Sequence, residues 1–344
     1  MELLLSNYPP AKFAGKKSAK DFFESNLENS DLIRIATGYI SSDSLIELRK
    51  IIEINKKPKI EMLIGMHYFE GFTRTQYNAA NSLNDLLIDS KLGSISLSDK
   101  MKFHGKMYSF SKGGNVTNGM IGSSNFSSVL STSDRLYEAD FLFSDITHSQ
   151  TIDGYITQLI DKIGSPLNSI NISTFKEYNS LLEDHYGVKK LDAAELTEAW
   201  TSKGITEYEI PIKTEPKSNL NAFFGKGRVN QRGFEMPRPW YEVELIVSKK
   251  ITETAGFPYC KSFEVITDDG WKFNCKTSGD FSKNLRSELD LKILGKWLKG
   301  RLENSGALNI GQPVTEEVLN KYGRKTMKLI STKNPDLWLL DFKY

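Results

Sequence analysis

A histidine and a lysine two positions apart, His104 and Lys106, begin a polar stretch in the first third of the chain. On a strand, side chains two residues apart point the same way. A lysine beside a histidine is unfavourable unless the two share an anion, so the pair favours holding and attacking a phosphoryl group. The glycine-rich turn Gly122–Asn125 follows, and Asn125 adds an amide donor suited to a non-bridging phosphate oxygen.

A carboxylate completes this candidate site. Glu138 lies in an otherwise apolar predicted strand, where it can accept the second N–H of the His104 imidazole and fix its tautomer. Ser123 is a supporting residue in the turn. Each piece has an ordinary alternative: a chance H-x-K, a plain turn, or a solvent-facing edge strand that carries Glu138. Their order within 35 residues, on successive predicted strands, favours the site.

Strand and helix patterns alternate around these residues. Asp31–Ile40 and Lys57–Met66 are apolar runs typical of buried strands, whereas Ser41–Ile54 and Thr73–Gly93 have helical spacing. Further predicted elements are a short strand at residues 94–98, a hairpin over residues 102–128, a strand over Arg135–Ser144 and a helix over residues 148–164. The alternation predicts an α/β layered sandwich at the N-terminus.

The second half of the chain has a different character. Strand-like runs cover residues 240–249, 261–279 and 336–342, with a D-D-G turn inside the second of them. Two helical segments, residues 287–306 and 315–323, lie between the later runs. These patterns predict a β-rich second domain. The predicted organisation is a first domain over residues 1–190, a linker over residues 191–218 and a second domain over residues 219–344.

Length and charge fit two ordinary globular domains. The 344 residues carry a net charge of only +2, but that charge is uneven. Residues 201–344 contain 24 basic and 18 acidic side chains, against 21 and 25 in the remainder. Any polyanion binding is therefore expected mainly in the second half, with ordinary scatter as the alternative.

Several function classes are disfavoured by what the sequence lacks. Cys260 and Cys275 form no C-x-x-C, so neither a zinc cluster nor a disulfide framework is predicted. The first residues lack the basic lead and apolar length of a signal peptide, and no apolar run approaches about 18 residues. These features predict a cytoplasmic protein without a membrane segment.

The ordered motif resembles that of the phospholipase D superfamily, which reads H-x-K, four residues, D, then G-S-x-N. His104, Lys106 and Gly122–Asn125 match, whereas Ser111 stands in place of the aspartate and weakens a lipase interpretation. The whole chain is similar to the bacterial restriction-endonuclease branch of the BfiI and NgoFVII type. In that branch a phospholipase D-like nuclease domain precedes a plant B3-like DNA-binding pseudobarrel. The segment Arg232–Leu245 resembles the first part of that pseudobarrel.

The resemblance implies a site-specific deoxyribonuclease that needs no metal and no cofactor. One neutral histidine attacks phosphorus to give a phosphohistidine, a second protonated histidine donates to the leaving oxygen, and lysines and asparagines stabilise the charge. His67, His148 and His185 begin no other H-x-K, so the second set must come from another copy in a homodimer. Double-stranded DNA is the expected partner, and a helicase-like ATPase subunit and a cognate DNA methyltransferase are further candidates.

Two polar stretches of the second half are expected to read DNA bases. Arginine matches guanine, and asparagine or glutamine matches adenine, in the major groove. In the resembled pseudobarrel two such arms grip the groove like a wrench; a solvated loop is the alternative for each. The candidate residues are Lys226, Arg228, Asn230, Gln231 and Arg232 in the first arm, and Lys276, Ser278, Asp280, Lys283, Asn284 and Arg286 in the second arm.

Three other functions remain as alternatives. Pro335-Asp336 with Asp341 and Lys343 imitates the signature of a metal-dependent nuclease, although two carboxylates on one short strand make a poor catalytic core. A phospholipase D-type phosphodiesterase could act on another substrate, such as a lipid. A non-catalytic DNA-binding protein with a degenerate nuclease domain is the third, and the intact motif residues argue against it.

Overall fold

The computed structural model describes residues 1–8, 10–13, 15–130, 136–176, 181–183, 185–216 and 218–344. These residues form two compact units. The first comprises Met1–Tyr178 and Arg228–Met236, and the second comprises Asn179–Gly227 and Pro237–Tyr344.

The elements alternate along the first half of the chain and become strand-rich later. The strands, in chain order, are β1 (Glu2–Leu5), β2 (Leu32–Thr37), β3 (Lys59–Ile64), β4 (Phe72–Thr73), β5 (Gly93–Ser98), β6 (Lys106–Lys112), β7 (Asn115–Gly122), β8 (Ala139–Phe143), β9 (Gly164–Pro166), β10 (Phe175–Lys176), β11 (Lys189–Lys190), β12 (Lys203–Pro211), β13 (Arg228–Val229), β14 (Glu235–Met236), β15 (Leu245–Ile246), β16 (Ser262–Thr267), β17 (Trp271–Ser278), β18 (Asn284–Ser287), β19 (Thr326–Thr332) and β20 (Leu337–Asp341). The α-helices are α1 (Ala19–Asn29), α2 (Ser42–Asn55), α3 (His67–Glu70), α4 (Arg74–Asp89), α5 (Phe126–Leu130), α6 (Ile146–Ile163), α7 (Ala193–Thr201), α8 (Lys249–Thr252), α9 (Lys292–Asn304) and α10 (Glu316–Tyr322).

The first unit is built on a mixed sheet in the order β1-β8-β7-β6-β2-β3-β5-β9. Strands β2, β3 and β5 run parallel, with α2 and α4 as the connecting helices. Both helices begin at side-chain caps that the sequence supplies: Ser41 accepts from the N–H of Ser44, and Thr73 forms a capping box with Gln76. The predicted α/β layered sandwich is confirmed.

Helices cover both faces of this sheet. On one face Met107 joins a buried cluster with Ile152 and Ile156 of α6. On the other, Tyr108 and Phe110 meet the ring of Phe23 from α1 edge-on. Alternate residues of β6 therefore enter two separate cores, which explains why this strand is buried from Lys106 to Ser111.

The predicted hairpin is present, but its first strand begins later than expected. The sequence predicts that His104 lies on this strand, whereas β6 begins at Lys106. The N–H of Phe103 donates to the carbonyl oxygen of Gly65 at the end of β3, 3.3 Å away. Residues 103–105 are thus drawn across the sheet edge instead of extending β6. The strand predicted over Arg135–Ser144 is β8, and Arg135 itself is outside the described residues.

The second unit contains a sheet in the order β12-β19-β20-β16-β17-β18-β15 that curls into a half-barrel, consistent with a B3-like pseudobarrel. Strands β16 and β17 form the predicted hairpin, and its D-D-G turn places Gly270 at φ +86°, where glycine is favoured. Residues 191–218, predicted as a linker, carry α7 and the long strand β12 of this sheet. Apolar side chains at alternating β12 positions explain why that segment pairs with β19: Tyr208 and Ile210 are buried.

Candidate active site

The register of the first sheet gathers the candidate motif at one edge. Thr37 at the end of β2 pairs with Lys106 at the start of β6, and Gly122 at the end of β7 pairs with Asp140 near the start of β8. Strands β6 and β7 are themselves neighbours. Residues as far apart in sequence as Thr37 and Asp140 therefore meet, because alternating strands begin and end at the same edge.

His104 and Lys106 are in direct contact at this edge. The ammonium of Lys106 lies 3.2 Å from Nε2 of His104 and donates to the carbonyl oxygen of His104 at 2.7 Å. An ammonium only donates, so Nε2 is the acceptor and carries the unprotonated lone pair. His104 is exposed, whereas Lys106 is buried, and that burial lowers the pKa of Lys106 while the nearby Glu138 carboxylate acts in the opposite direction.

Asn125 lies beside His104 with Gly38 between them. A Cβ atom on Gly38 would come within 3.1 Å of Cδ2 of His104 and 3.5 Å of Oδ1 of Asn125. Oδ1 accepts the backbone N–H of Tyr39 at 3.1 Å and, more weakly, the hydroxyl of Thr37 at 3.4 Å. These donors fix the amide orientation, so the Nδ2 donor is the end of the Asn125 side chain left to meet a ligand.

Glu138 is held by the serines that surround it. Its carboxylate accepts the hydroxyl of Ser123 at 2.5 Å and that of Ser128 at 3.0 Å. The sequence predicts that Glu138 accepts from the His104 imidazole, but among the described residues no hydrogen bond joins the two side chains. Ser123 and Ser128 take both carboxylate oxygens instead, and Glu138 acts on the site through its charge near Lys106. Ser123 thus supports the site by fixing this carboxylate.

Asp140 is a positioning residue that the sequence reasoning missed. It is buried, and its two oxygens accept the N–H of Ser124 at 3.1 Å and the hydroxyl of Ser124 at 2.6 Å. Burial raises the pKa of Asp140, and the hydrogen bonds from Ser124 oppose that change. Asp140 therefore fixes the residue next to Asn125. An acidic residue at an inward position of an apolar strand, two places after Glu138, was the available signal.

Tyr39 was also missed, and it links three parts of the site. Its ring meets the imidazoles of His104 and His67 edge-on, at centroid distances of 5.5 and 5.7 Å. Its hydroxyl donates to Glu70 at 2.7 Å. His67 is itself buried and accepts the N–H of Ile40 through Nε2, and burial lowers its pKa to about 4. His67 is therefore a neutral structural residue behind Tyr39.

The first arm groups with the first unit over Arg228–Met236. Nδ2 of Asn230 donates to Glu28 at 2.7 Å, and the guanidinium of Arg232 donates to Asn29 at 3.0 Å. Two of the residues predicted to read bases thus have side chains engaged with the end of α1. The other three first-arm residues, Lys226, Arg228 and Gln231, are exposed.

The second arm forms an ordered cationic strip on the second sheet. Lys276 pairs directly with Arg286, and Ser278 pairs with Asn284, so the four side chains lie on one face of the β17–β18 hairpin. The tip of this hairpin exposes Phe281, with the ammonium of Lys249 4.0 Å from its ring centroid. The other two second-arm residues, Asp280 and Lys283, form an ion pair with each other at 3.6 Å.

The acidic residues of the metal-nuclease alternative are held apart. Asp336 precedes β20 and pairs with Lys261 at 2.6 Å, whereas Asp341 ends β20 and pairs with Arg324 at 3.0 Å. Across the described ranges, no group of three or more histidine, cysteine or acidic side chains is arranged to hold a metal ion.

Family models match both units. The NgoFVII restriction endonuclease N-terminal PLD domain matches residues 17–172, and the NgoFVII C-terminal B3-like DNA-binding domain matches residues 200–333. The chain belongs to the NgoFVII type of the phospholipase D restriction endonucleases. Its first unit is a phospholipase D-family nuclease domain, and its B3-like domain makes DNA a partner.

Solved structures include similar chains. Nuc from Salmonella typhimurium, a phospholipase D family member, is 16% identical, with a TM-score of 0.32 over 48% of this chain and 98% of its own. NucT from Helicobacter pylori is 12% identical, with a TM-score of 0.31 over 48% of this chain and 99% of its own. Comparison with curated proteins gave no match. Among the described residues, no helix is both long and apolar enough to cross a membrane.

Proposed function

We propose that this chain is a metal-independent, site-specific DNA endonuclease that works through a phosphohistidine at a site shared by two copies. The observation that carries the proposal is the sheet edge where His104 contacts Lys106 and lies with Asn125 beside Gly38. An unprotonated imidazole nitrogen, a cation and an amide donor at one point are what a phosphodiester needs for attack and for charge stabilisation.

The first step forms a bond from Nε2 of His104 to phosphorus as the bond to the leaving oxygen breaks. The ammonium of Lys106 moves from Nε2 to a non-bridging oxygen, and Nδ2 of Asn125 donates to another. Burial of Lys106 supports this role, because a partly desolvated cation interacts more strongly with a developing negative charge. Glu138 keeps the ammonium charged by its proximity.

The proton for the leaving oxygen comes from His104 of the partner subunit, in its protonated form. Water then attacks the phosphorus of the phosphohistidine, the bond to Nε2 breaks, and the water proton returns to His104 of the partner subunit. The sequence supports a shared site because it holds only one H-x-K.

Exposed apolar side chains beside the site support the dimer. Ile121 and Phe141 pair across β7 and β8, and their exposed fractions are 39% and 44%. An exposed apolar patch next to an incomplete active site is suited to a second copy, whose H-x-K would complete it. Recognition of a specific duplex sequence is assigned to the B3-like unit, with the strip from Lys276 to Arg286 facing the major groove.

Plasmid cleavage in excess chelator tests this proposal. We expect the wild-type chain to cut DNA in the chelator, and His104→Ala to lose cleavage by at least about 1,000-fold while still binding DNA. The assay is repeated with and without ATP, because a helicase-like ATPase partner would make cleavage depend on the nucleotide. Undiminished cleavage by His104→Ala, or cleavage abolished by the chelator alone, would contradict the proposal.

A further inference from the structure

The N-terminal segment of the nuclease unit has a local charge opposite to that of the half that contains it. Residues 3–20 contain no acidic side chain and carry Lys12, Lys16, Lys17 and Lys20. The first three lysines are exposed, and among the described residues they form no ion pair. We call the described residues 10–13 and 15–18 the basic loop. Its positive charge is not visible in the net charge of the first half, because that half is acidic on average.

The chain around the basic loop is fastened to Glu138, which directly precedes β8. The N–H of Ser6 donates to the carbonyl oxygen of Glu138 at 3.0 Å, and the N–H of Glu138 donates to the hydroxyl of Ser6 at 2.8 Å. On the other side of the loop, the N–H of Leu5 donates to the carbonyl oxygen of Lys17 at 3.0 Å. The backbone on both sides of the loop is thus tied to the first sheet near Glu138, so the lysines are not on a free tail.

Aromatic stacking adds a second attachment. The rings of Tyr8 and Tyr137 stack at 4.8 Å with an interplanar angle of 15°, and the hydroxyl of Tyr137 accepts the N–H of Ala11 at 3.1 Å. Tyr137 directly precedes Glu138. The geometry of the basic loop is therefore coupled to the same short segment that positions the carboxylate.

A polar cavity of about 260 Å³ lies between this segment and the Gly122–Asn125 turn, which we call the catalytic turn. Its walls include Ser18 and Lys20 on one side, and Ser127, Ser128 and Glu138 on the other. Hydroxyls and an ammonium suit a sugar–phosphate unit better than an apolar ligand, and the volume is below the roughly 300 Å³ where drug-sized pockets begin. Ser124, the residue before Asn125, also lines the cavity, so the cavity lies next to the proposed phosphate site.

We infer that the basic loop binds the backbone phosphates of the DNA strand next to the scissile phosphate, with Lys12, Lys16 and Lys17 as the contacting residues. The inference rests on the proposed function for its substrate. These contacts would let the nuclease unit bind DNA independently of sequence, separately from base recognition by the B3-like unit. Unpaired lysines on an ordered loop release counterions when they meet phosphates, so their contribution has a measurable salt dependence.

The test uses the full chain in the inert His104→Ala background, so that binding is measured without cleavage. Affinity for a short duplex of mixed sequence is measured by fluorescence anisotropy over a series of salt concentrations. We expect the triple variant Lys12→Gln/Lys16→Gln/Lys17→Gln to reduce the slope of log K against log salt by about 2 to 3, since each phosphate contact contributes about 0.9. Replacing the same three lysines with arginine should restore the slope.

A matched triple variant controls for the loss of net charge. Lys56, Lys91 and Lys112 are exposed and lie at the opposite edge of the sheet, after α2, after α4 and at the end of β6. Replacing these three with glutamine should leave the slope unchanged. An equal fall in slope for both triples, or no fall for the loop triple, would overturn the inference.

A membrane surface is the other macromolecule that a basic loop could meet. If the loop triple kept the wild-type DNA slope and lost binding to phosphatidylserine vesicles, the basic loop would be a lipid-contacting surface and the inference would be wrong. The readout is separate from the proposed function, because a wild-type chain that failed to cleave DNA would refute the nuclease mechanism while the slopes still reported on the loop.

Discussion

At the scale of single residues, the site depends on which nitrogen of His104 carries a lone pair. The ammonium of Lys106 can only donate a hydrogen bond, so Nε2 of His104 is the acceptor in their contact. The sequence alone predicted that these two side chains lie together, but it placed His104 on the strand, whereas β6 begins at Lys106. It could not show that Glu138 is turned toward Ser123 and Ser128, since hydroxyl partners 10 and 15 residues away depend on how β7 and β8 meet.

Asp140 gives a residue-scale prediction. In Asp140→Asn one of the two acceptors for Ser124 becomes a donor, so the turn that carries Asn125 loses a hydrogen bond while the side chain keeps its size. We expect cleavage to fall by about 10- to 100-fold through kcat, because a misplaced Asn125 weakens transition-state stabilisation more than substrate binding. KM for DNA should stay near the wild-type value.

Asp153→Asn is the matched control for Asp140→Asn. Asp153 is a largely buried acid on α6 that accepts from Arg34 and Ser109, away from the catalytic turn. It should lower the melting temperature without the selective loss in kcat. Equal losses of kcat in the two variants would mean that Asp140 acts only through stability.

His67 predicts a pH dependence of stability. Its pKa is about 4 in the folded chain, below the ordinary value of about 6.5, so the unfolded chain takes up a proton first as the pH falls. Stability is therefore lost between about pH 6.5 and pH 4, by up to about 3 kcal/mol. Urea unfolding at pH 7 and pH 4.5 should show this loss in the wild-type chain and a smaller one in His67→Asn. An equal loss of stability in the wild-type chain and in His67→Asn would contradict this assignment.

At the scale of elements, the first sheet brings four chain segments together at the edge that holds the candidate site. The alternation of apolar runs predicted most of its strands and helices, because buried strands and amphipathic helices have different periods. Gly38 and Tyr39 reach that edge from a loop. No hydrophobic periodicity in the sequence marks them as site residues. Their positions follow from the parallel pairing of β2 with β3 and the antiparallel pairing of β2 with β6, which no local signal fixes.

Gly38 tests the crowding at that edge. Gly38→Ala places a Cβ atom 3.1 Å from the His104 ring, close enough to displace the ring by a few tenths of an ångström or more. We expect cleavage to fall by roughly 10- to 100-fold with the fold retained, because catalysis is sensitive to small misplacements of the nucleophile. The circular dichroism spectrum and melting curve report on the fold.

The glycine control lies on the helix that covers the same sheet. Gly154 of α6 is exposed and has no neighbour within 4 Å of an added Cβ atom. Gly154→Ala should raise stability by about 0.5–1 kcal/mol through helix propensity and leave cleavage unchanged. Full activity in Gly38→Ala would show that the His104 ring has room to move without consequence.

At the scale of the whole molecule, sequence patterns indicated two domains and their order, and family models match both. They were less informative about boundaries. The segment from Lys203 to Pro211 looks polar and linker-like because β12 is an edge strand with alternate residues exposed. The first arm was assigned to the second domain by its chemistry, whereas Arg228–Met236 groups with the nuclease unit through Asn230 and Arg232.

The central claim is that one active site needs two copies of the chain, because each copy supplies a single H-x-K. Wild-type and His104→Ala chains are mixed in varied proportions, unfolded together, refolded, and assayed for DNA cleavage in chelator. A shared site makes the mixed dimers nearly inactive, since one histidine must attack while the other donates a proton. Activity should then fall with the square of the wild-type fraction. A linear fall would mean that each chain carries a complete site and would contradict the account.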